Sequence, residues 1–303
     1  MPYPHKAIRW TPVHAADEEV ARDTLFIGVE LELENREEAT DRYTDPALMH
    51  MAEEFDKSNP ALWNYGMDGS LHFGMEAKTH PFTQRYYEHG DMNLVPLFDY
   101  LRTHARPWEP QHREYTAGVH IHLCRAAFTA AHMERFLEFH YDNPKFFQMV
   151  AGREANNYAS FDIDKDARSE YDYARNVHVG KDRKAHIKSL AEAKSRGSTR
   201  YMAVNMANTN TIELRYFVST TKRLRFEGYI QWAFALYEYT KDAENVLTPA
   251  AFKSWLAIRP QYRQARMLSR GYLKVETPSE GVPGGKVQAF MPGGFQRAGL
   301  RRA

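Results

Sequence analysis

The sequence predicts an α+β fold: a mostly antiparallel sheet with helices on one face and a polar site on the other. Three observations carry this reading. Four segments, FIGVELELE, DGSLHFGMEAKTH, GVHIHL and TIELRYF, place ionisable residues at every second position, the period of a strand. Stretches with apolar residues at helical spacing separate them. The last segment follows another strand-like run across Ala207-Asn208-Thr209-Asn210, which reads as a hairpin turn.

The elements follow in order. Residues 1–24 form an irregular lead. A strand at about 25–34 puts Glu30, Glu32 and Glu34 on one face and Ile, Val and Leu on the other. Thr44-Asp45-Pro46 opens a helix to about Lys57, with a capping residue and Pro in its first turn. After Asp68, a strand at about 70–79 carries Ser70 and Glu76. Leu94, Val95, Phe98 and Leu101 predict a helix over 93–104. GVHIHL is a strand with His120 and His122 on one face. Thr129 caps a helix to about His140, and Asn143-Pro144 starts another that stops near Gly152. Residues 153–180 have no clear period and predict a long loop, followed by a charged helix at 182–196 with Ile187, Leu190 and Ala191 as its apolar stripe. Strands at about 200–207 and 211–218 form the hairpin, and an amphipathic helix covers 222–241. One domain at 25–276 accounts for these elements, followed by a Gly/Pro-rich basic tail at 277–303.

Composition narrows the class. Hydrophobic residues at 43% and aromatics at 13% suffice for a core. No run of 18 apolar residues predicts a membrane span, and the opening MPYPHKAIRW lacks the apolar stretch of a signal peptide. Cys124 is the single cysteine, so no intrachain disulfide forms, and a cytoplasmic location is expected. Net charge is +1, yet Lys253–Ala303 holds ten Lys and Arg against Glu276 and Glu280. That basic end reads as solubilising. Contact with nucleic acid is the alternative, but no aromatic-interleaved motif accompanies the charge.

Taken singly, each alternating segment is weak. E-x-E-x-E is commonly a solvated sheet face, and E-x-R a cross-strand ion pair. Together they gather carboxylates that would repel one another by about 4 kcal/mol per pair at ~4 Å and an effective dielectric of ~20. A divalent cation removes that penalty. Carboxylates with an imidazole suit Mg²⁺ or Mn²⁺ better than zinc. Arg200 and Arg215 are candidate phosphate ligands, because the guanidinium fork matches phosphate oxygens. Carboxylate-held Mg²⁺ beside such arginines suggests ATP chemistry.

The ordered series GVELELE, DGSLHFGMEAKTH, GVHIHL and RYMAVNMANTNTIELRYFVST, across about Phe26 to Thr220, resembles the amidoligases. These belong to the glutamine synthetase and glutamate–cysteine ligase superfamily of carboxylate–amine ligases. The resemblance implies a glutamine synthetase-like catalytic fold. It implies that Glu30, Glu32, Glu76, His120 and Glu213 bind divalent metal. His122 would lie near the ATP phosphates, and Arg200 and Arg215 would bind phosphate or an acyl-phosphate intermediate. Asp68, Ser70 and Asn205 would shape the site. The implied function is ATP- and Mg²⁺-dependent amide formation between a small-molecule or peptide carboxylate and an amine. The acidic cluster that places ammonia in glutamine synthetase has no clear counterpart here.

Two other readings compete. A cupin-like oxygenase would also use H-x-H, but it needs a further His on a later strand, and His178 and His186 lie in polar or helical context. A non-catalytic member of the same fold would act as a structural or nucleic-acid-binding protein through its basic end, and salt-dependent DNA binding would reveal it.

Overall fold

Ile27–Asn35 form β1, the strand around which the sheet is built. The structure, a computed structural model, describes residues 10–36, 46–90, 92–108, 117–154, 159–161, 187–188, 191 and 201–275. Among these, β2 (Trp63–Gly66), β3 (Gly74–Thr79), β4 (Ala105–Arg106), β5 (Gly118–Cys124), β6 (Val204–Asn205) and β7 (Thr211–Val218) complete an open sheet. Its order is β2-β3-β1-β5-β7-β6, with β4 pairing on the end of β1, and every pairing is antiparallel.

The strand expected from residue 70 begins at Gly74, because Asp68 closes a turn ahead of it. Asp68 Oδ1 accepts from Ser70 N at 2.7 Å, and Asp68 O accepts from Leu71 N at 3.3 Å. Gly74 is held by close approach: a Cβ there would fall on the Leu33 carbonyl oxygen of β1.

The continuous α-helices among the described residues are α1 (Pro46–Ser58), α2 (Gln84–Glu88), α3 (Leu94–His104), α4 (Ala130–Asp142), α5 (Pro144–Ala151), α6 (Arg223–Lys241), α7 (Pro249–Ala257) and α8 (Arg263–Ser269). Thr129 caps α4 by accepting from His132 N at 3.2 Å, and Gly152 ends α5 in the left-handed region at φ 82°. The segment 242–275, unassigned in the sequence beyond its place in the domain, contains α7 and α8, and Thr248 caps α7. From residue 10 onward the lead is irregular as expected, but it is tied down: Val13 N donates to Pro81 O at 2.8 Å, and Thr83 Oγ1 donates to Glu18 at 2.5 Å. The long loop at 153–180 and the helix at 182–196, apart from a few residues, lie outside the described residues, as does the tail at 277–303.

The core sits between one sheet face and the helices. Ile27, Val29, Leu31 and Leu33 of β1 are buried there, with Met75, Ala77, Val119, Ile121, Leu123 and Leu214 from its neighbours. Phe55 of α1 meets Trp63, Phe98 of α3 meets Phe226 of α6, and Phe147 of α5 meets Tyr216 of β7. Almost all of α6 is buried, which suits a helix enclosed on most sides. At about 25 cal/mol per Å² of apolar burial, this side supplies the drive that holds the opposite, charged face in place.

Candidate functional site

Strand parity assembles the polar face. Residues directly opposite in an antiparallel ladder project to the same side. One row crosses the sheet as Asn64 on β2, Lys78 on β3, Glu30 on β1 and His120 on β5. The next pairs Gly66 with Glu76 and Glu76 with Glu32. A third pairs Gly28 with His122, His122 with Glu213 and Glu213 with Asn205. Glu30 and Glu213, far apart in sequence, therefore share a face two strands apart.

His120 is the hub. Its Nδ1 lies 3.3 Å from Glu30 Oε2, 3.5 Å from Glu213 Oε1 and 3.8 Å from Glu32 Oε1. Gly118 makes room for this: a Cβ there would stand 3.1 Å from His120 Nε2, and the Gly118 N–H donates to Glu32 Oε2 at 2.6 Å. Lys78 Nζ bridges Glu76 Oε2 at 2.6 Å and Glu30 Oε1 at 3.1 Å. Asn205 Nδ2 donates to Glu213 Oε2 at 2.6 Å, and Arg215 pairs with Glu213 Oε1. His122 Nδ1 is 3.2 Å from Thr211 Oγ1. Its buried Nε2 lies 3.3 Å from Glu30 Oε1 without hydrogen-bond alignment.

A β-bulge delivers Arg215. Leu214 opposes Ile121 and Phe217 opposes Val119, so Arg215 and Tyr216 together face His120. Tyr216 turns into the core, where Trp232 Nε1 donates to its hydroxyl at 3.3 Å, while Arg215 turns to Glu213. Arg153, just past α5, clamps the bulge: Nη2 donates to Arg215 O at 2.7 Å and Nε to Tyr216 O at 3.1 Å.

The charges are unevenly balanced. Burial opposes ionisation of Glu30, but the close approach of His120 and His122 outweighs it and holds the carboxyl well below its usual range. Burial pushes Glu32 up. Burial and the neighbouring Glu30 charge push Glu76 up to about 8, despite Lys78. Burial also works against Lys78, yet Glu30 and Glu76 win and raise it. Glu32 and Glu76 thus resist ionisation, while Glu30 is held in its charged form.

Two groups have the geometry of cation sites: Glu30, His120 and Glu213, and Glu32, Asp68 and Glu76, each with candidate atoms within 4.8 Å of one another. Carboxylates with one imidazole at this spacing could hold a divalent cation, and oxygen-rich donors of this kind suit hard ions. Asp68, Glu76 and Ser70 are thus brought to the site, with Ser70 Oγ bonded to Asp68. Glu34 shares the parity of Glu30 but serves the fold, accepting from His72 N and Phe73 N at 2.8 Å each. Arg200 lies outside the described residues.

Three participants escaped the sequence reading. Lys78 and Asn64 were signalled by parity alone, two residues beyond Glu76 and on a strand of four residues. Arg153 had no local signal, since its partners lie 62 and 63 positions away. No helix among the described residues is long and apolar enough to cross a membrane. Comparison with protein-family models and with curated proteins finds no match to this chain.

Proposed function

We propose that this chain is an ATP-dependent carboxylate–amine ligase. The observation that carries the reading is the convergence, on one sheet face, of Glu30, Glu32, Glu76, Glu213, Asp68 and His120 as two cation-sized groups with Arg215 at their edge. The sequence resemblance to amidoligases and their glutamine synthetase-like fold supports it.

Glu30, His120 and Glu213 would hold one divalent ion, and Glu32, Asp68 and Glu76 a second. Such ions, when bound, neutralise phosphate oxygens and polarise the phosphoryl group. Engagement of Glu213 by a cation would weaken its pairing with Arg215 and turn that guanidinium toward phosphate. Arg153 keeps the Arg215 backbone in place through the bulge carbonyls. Arg200 is the further phosphate ligand of this reading, and Asn205 orients Glu213. In the reaction, a substrate carboxylate oxygen attacks the γ-phosphorus of ATP and ADP leaves. The amine nitrogen then attacks the acyl phosphate, forming the amide bond and expelling phosphate while the amine gives up a proton.

The test is ADP release with Mg²⁺ and ATP across a panel of carboxylate and amine pairs. Calorimetry of nucleotide binding in Mg²⁺ adds a control that needs no substrate: Arg215→Ala should weaken it and Arg297→Ala should not. Equal affinity of the two variants, or nucleotide binding indifferent to Mg²⁺, would overturn the proposal.

A further inference from the structure

The row that starts at His120 does not end at the cation groups. Beyond Glu30 it continues to Lys78 and then to Asn64. Asn64 is 5% exposed, and both its Nδ2 and its Oδ1 are buried without a hydrogen-bond partner. An unpaired buried amide is costly, by about 1–3 kcal/mol, and uncommon enough to need an explanation. Exchanging the two amide atoms does not relieve it, because neither has a partner.

Its cross-strand neighbour is Lys78. In an antiparallel ladder such neighbours have Cβ atoms about 4.5–5.5 Å apart. The Lys78 side chain is 33% exposed, whereas Glu76 beside it is 7% exposed, so Lys78 is where this end of the row opens to solvent. A lysine ammonium and an asparagine N–H₂ carried by paired residues on one face are two donors that suit one carboxylate. The Glu30 and Glu76 carboxylates now on Lys78 belong to the two cation groups. A divalent ion taking them up would leave the ammonium to an outside anion.

We infer that Asn64 and Lys78 form a carboxylate-binding subsite, which receives a carboxylate of the ligand at the β2–β3 end of the polar face. The inference deepens the ligase reading and rests on it for the identity of the ligand as substrate. The polar face then divides its roles by residue: Glu30 and Glu32 of β1, Glu76 of β3, His120 of β5 and Glu213 of β7 supply cation ligands, and Asn64 of β2 with Lys78 of β3 supplies recognition.

The probe is acetate. Protein labelled with ¹⁵N at asparagine is titrated with sodium acetate in the presence of Mg²⁺, and the Asn64 side-chain N–H₂ resonances are followed at constant pH and ionic strength. A saturable shift is expected, with Lys78→Met weakening the apparent affinity about tenfold, the equivalent of one charge-assisted hydrogen bond. Lys78→Arg keeps the charge and should retain the shift, which preserves the test if Lys78→Met fails to fold. No saturable shift in wild type would overturn the subsite and leave Asn64 a hydrated core amide. A response to phosphate and not to acetate would overturn it as a carboxylate site. The measurement involves neither nucleotide nor turnover. A silent Asn64 in a protein that binds Mg²⁺-ATP removes the subsite alone. An acetate response in a protein that binds no nucleotide removes the ligase reading alone.

Discussion

Glu30 on β1 and His120 on β5 stand directly opposite each other, with Oε2 3.3 Å from Nδ1. The same imidazole nitrogen faces Glu213 and Glu32, so it ties β1 to β7 across β5. His120→Ala should therefore remove one ligand and loosen the placing of three others. Mn²⁺ affinity is expected to fall by more than the roughly 10–100-fold typical of losing an outer-shell partner, read by calorimetry.

Glu32 illustrates a conflict between folding and binding. Burial raises its carboxyl, with the charges of Asp68 and Glu30 adding to the effect, so keeping it costs the metal-free fold stability. Glu32→Gln retains an oxygen to accept from Gly118 N but removes the charge. The metal-free variant should be more stable, by about 1 kcal/mol in urea unfolding, and should lose most of the stabilisation that Mg²⁺ gives wild type.

Arg153 holds a backbone irregularity rather than a ligand. Arg153→Met leaves the carbonyls of Arg215 and Tyr216 without this donor, which should destabilise the chain by about 2 kcal/mol. Nucleotide affinity should fall with it, and Arg153→Lys should restore little, because a lysine cannot fork between two successive carbonyls. Calorimetry with Mg²⁺-ATP on the folded fraction checks this.

Two glycines should respond differently to the same change. Gly74→Ala places a methyl on the Leu33 carbonyl and should break the β1–β3 ladder, lowering stability by more than about 3 kcal/mol. Gly118→Ala brings its methyl nearest to the His120 ring at 3.1 Å, the Phe217 carbonyl at 3.4 Å and the Glu32 carboxylate at 3.5 Å. It should leave a folded protein with displaced His120 and weakened Mn²⁺ binding. Thermal melts with and without Mn²⁺ separate the two.

The core carries its own pH dependence. Burial lowers His132 to about 4 and His140 to about 3, both from an ordinary value of 6.5. The unfolded chain then takes up protons first on acidification. The stability tied to these neutral rings is complete above about pH 6.5 and is lost as pH falls toward 4 and then 3. Urea midpoints between pH 7 and 5 should fall in wild type and change less in a His132→Phe variant.

Much of this was legible in the sequence because strand parity is a local property. Two-residue spacing placed Glu30, Glu32, Glu76, His120 and Glu213 on common faces, and register brought those faces together. The caps at Thr129 and Gly152 were equally local. What escaped depends on partners distant in the chain. β2 and β4 have four and two residues, too few for a period to emerge. The bulge at Arg215–Tyr216 arises only when β7 meets β5. Lys78 gains its meaning from Glu30, 48 positions earlier.

β1 performs two jobs with one backbone. Its odd-numbered residues Ile27, Val29, Leu31 and Leu33 fill the core, and Glu30 and Glu32 between them face the other way. A slip of one residue would drive carboxylates in among the helices and strand four aliphatic side chains in their place. Such a slip is penalised on both faces at once. Burying the aliphatic row and displaying the carboxylate row are therefore one event, so whatever fixes the register of β1 during assembly also sets which side of the sheet is charged.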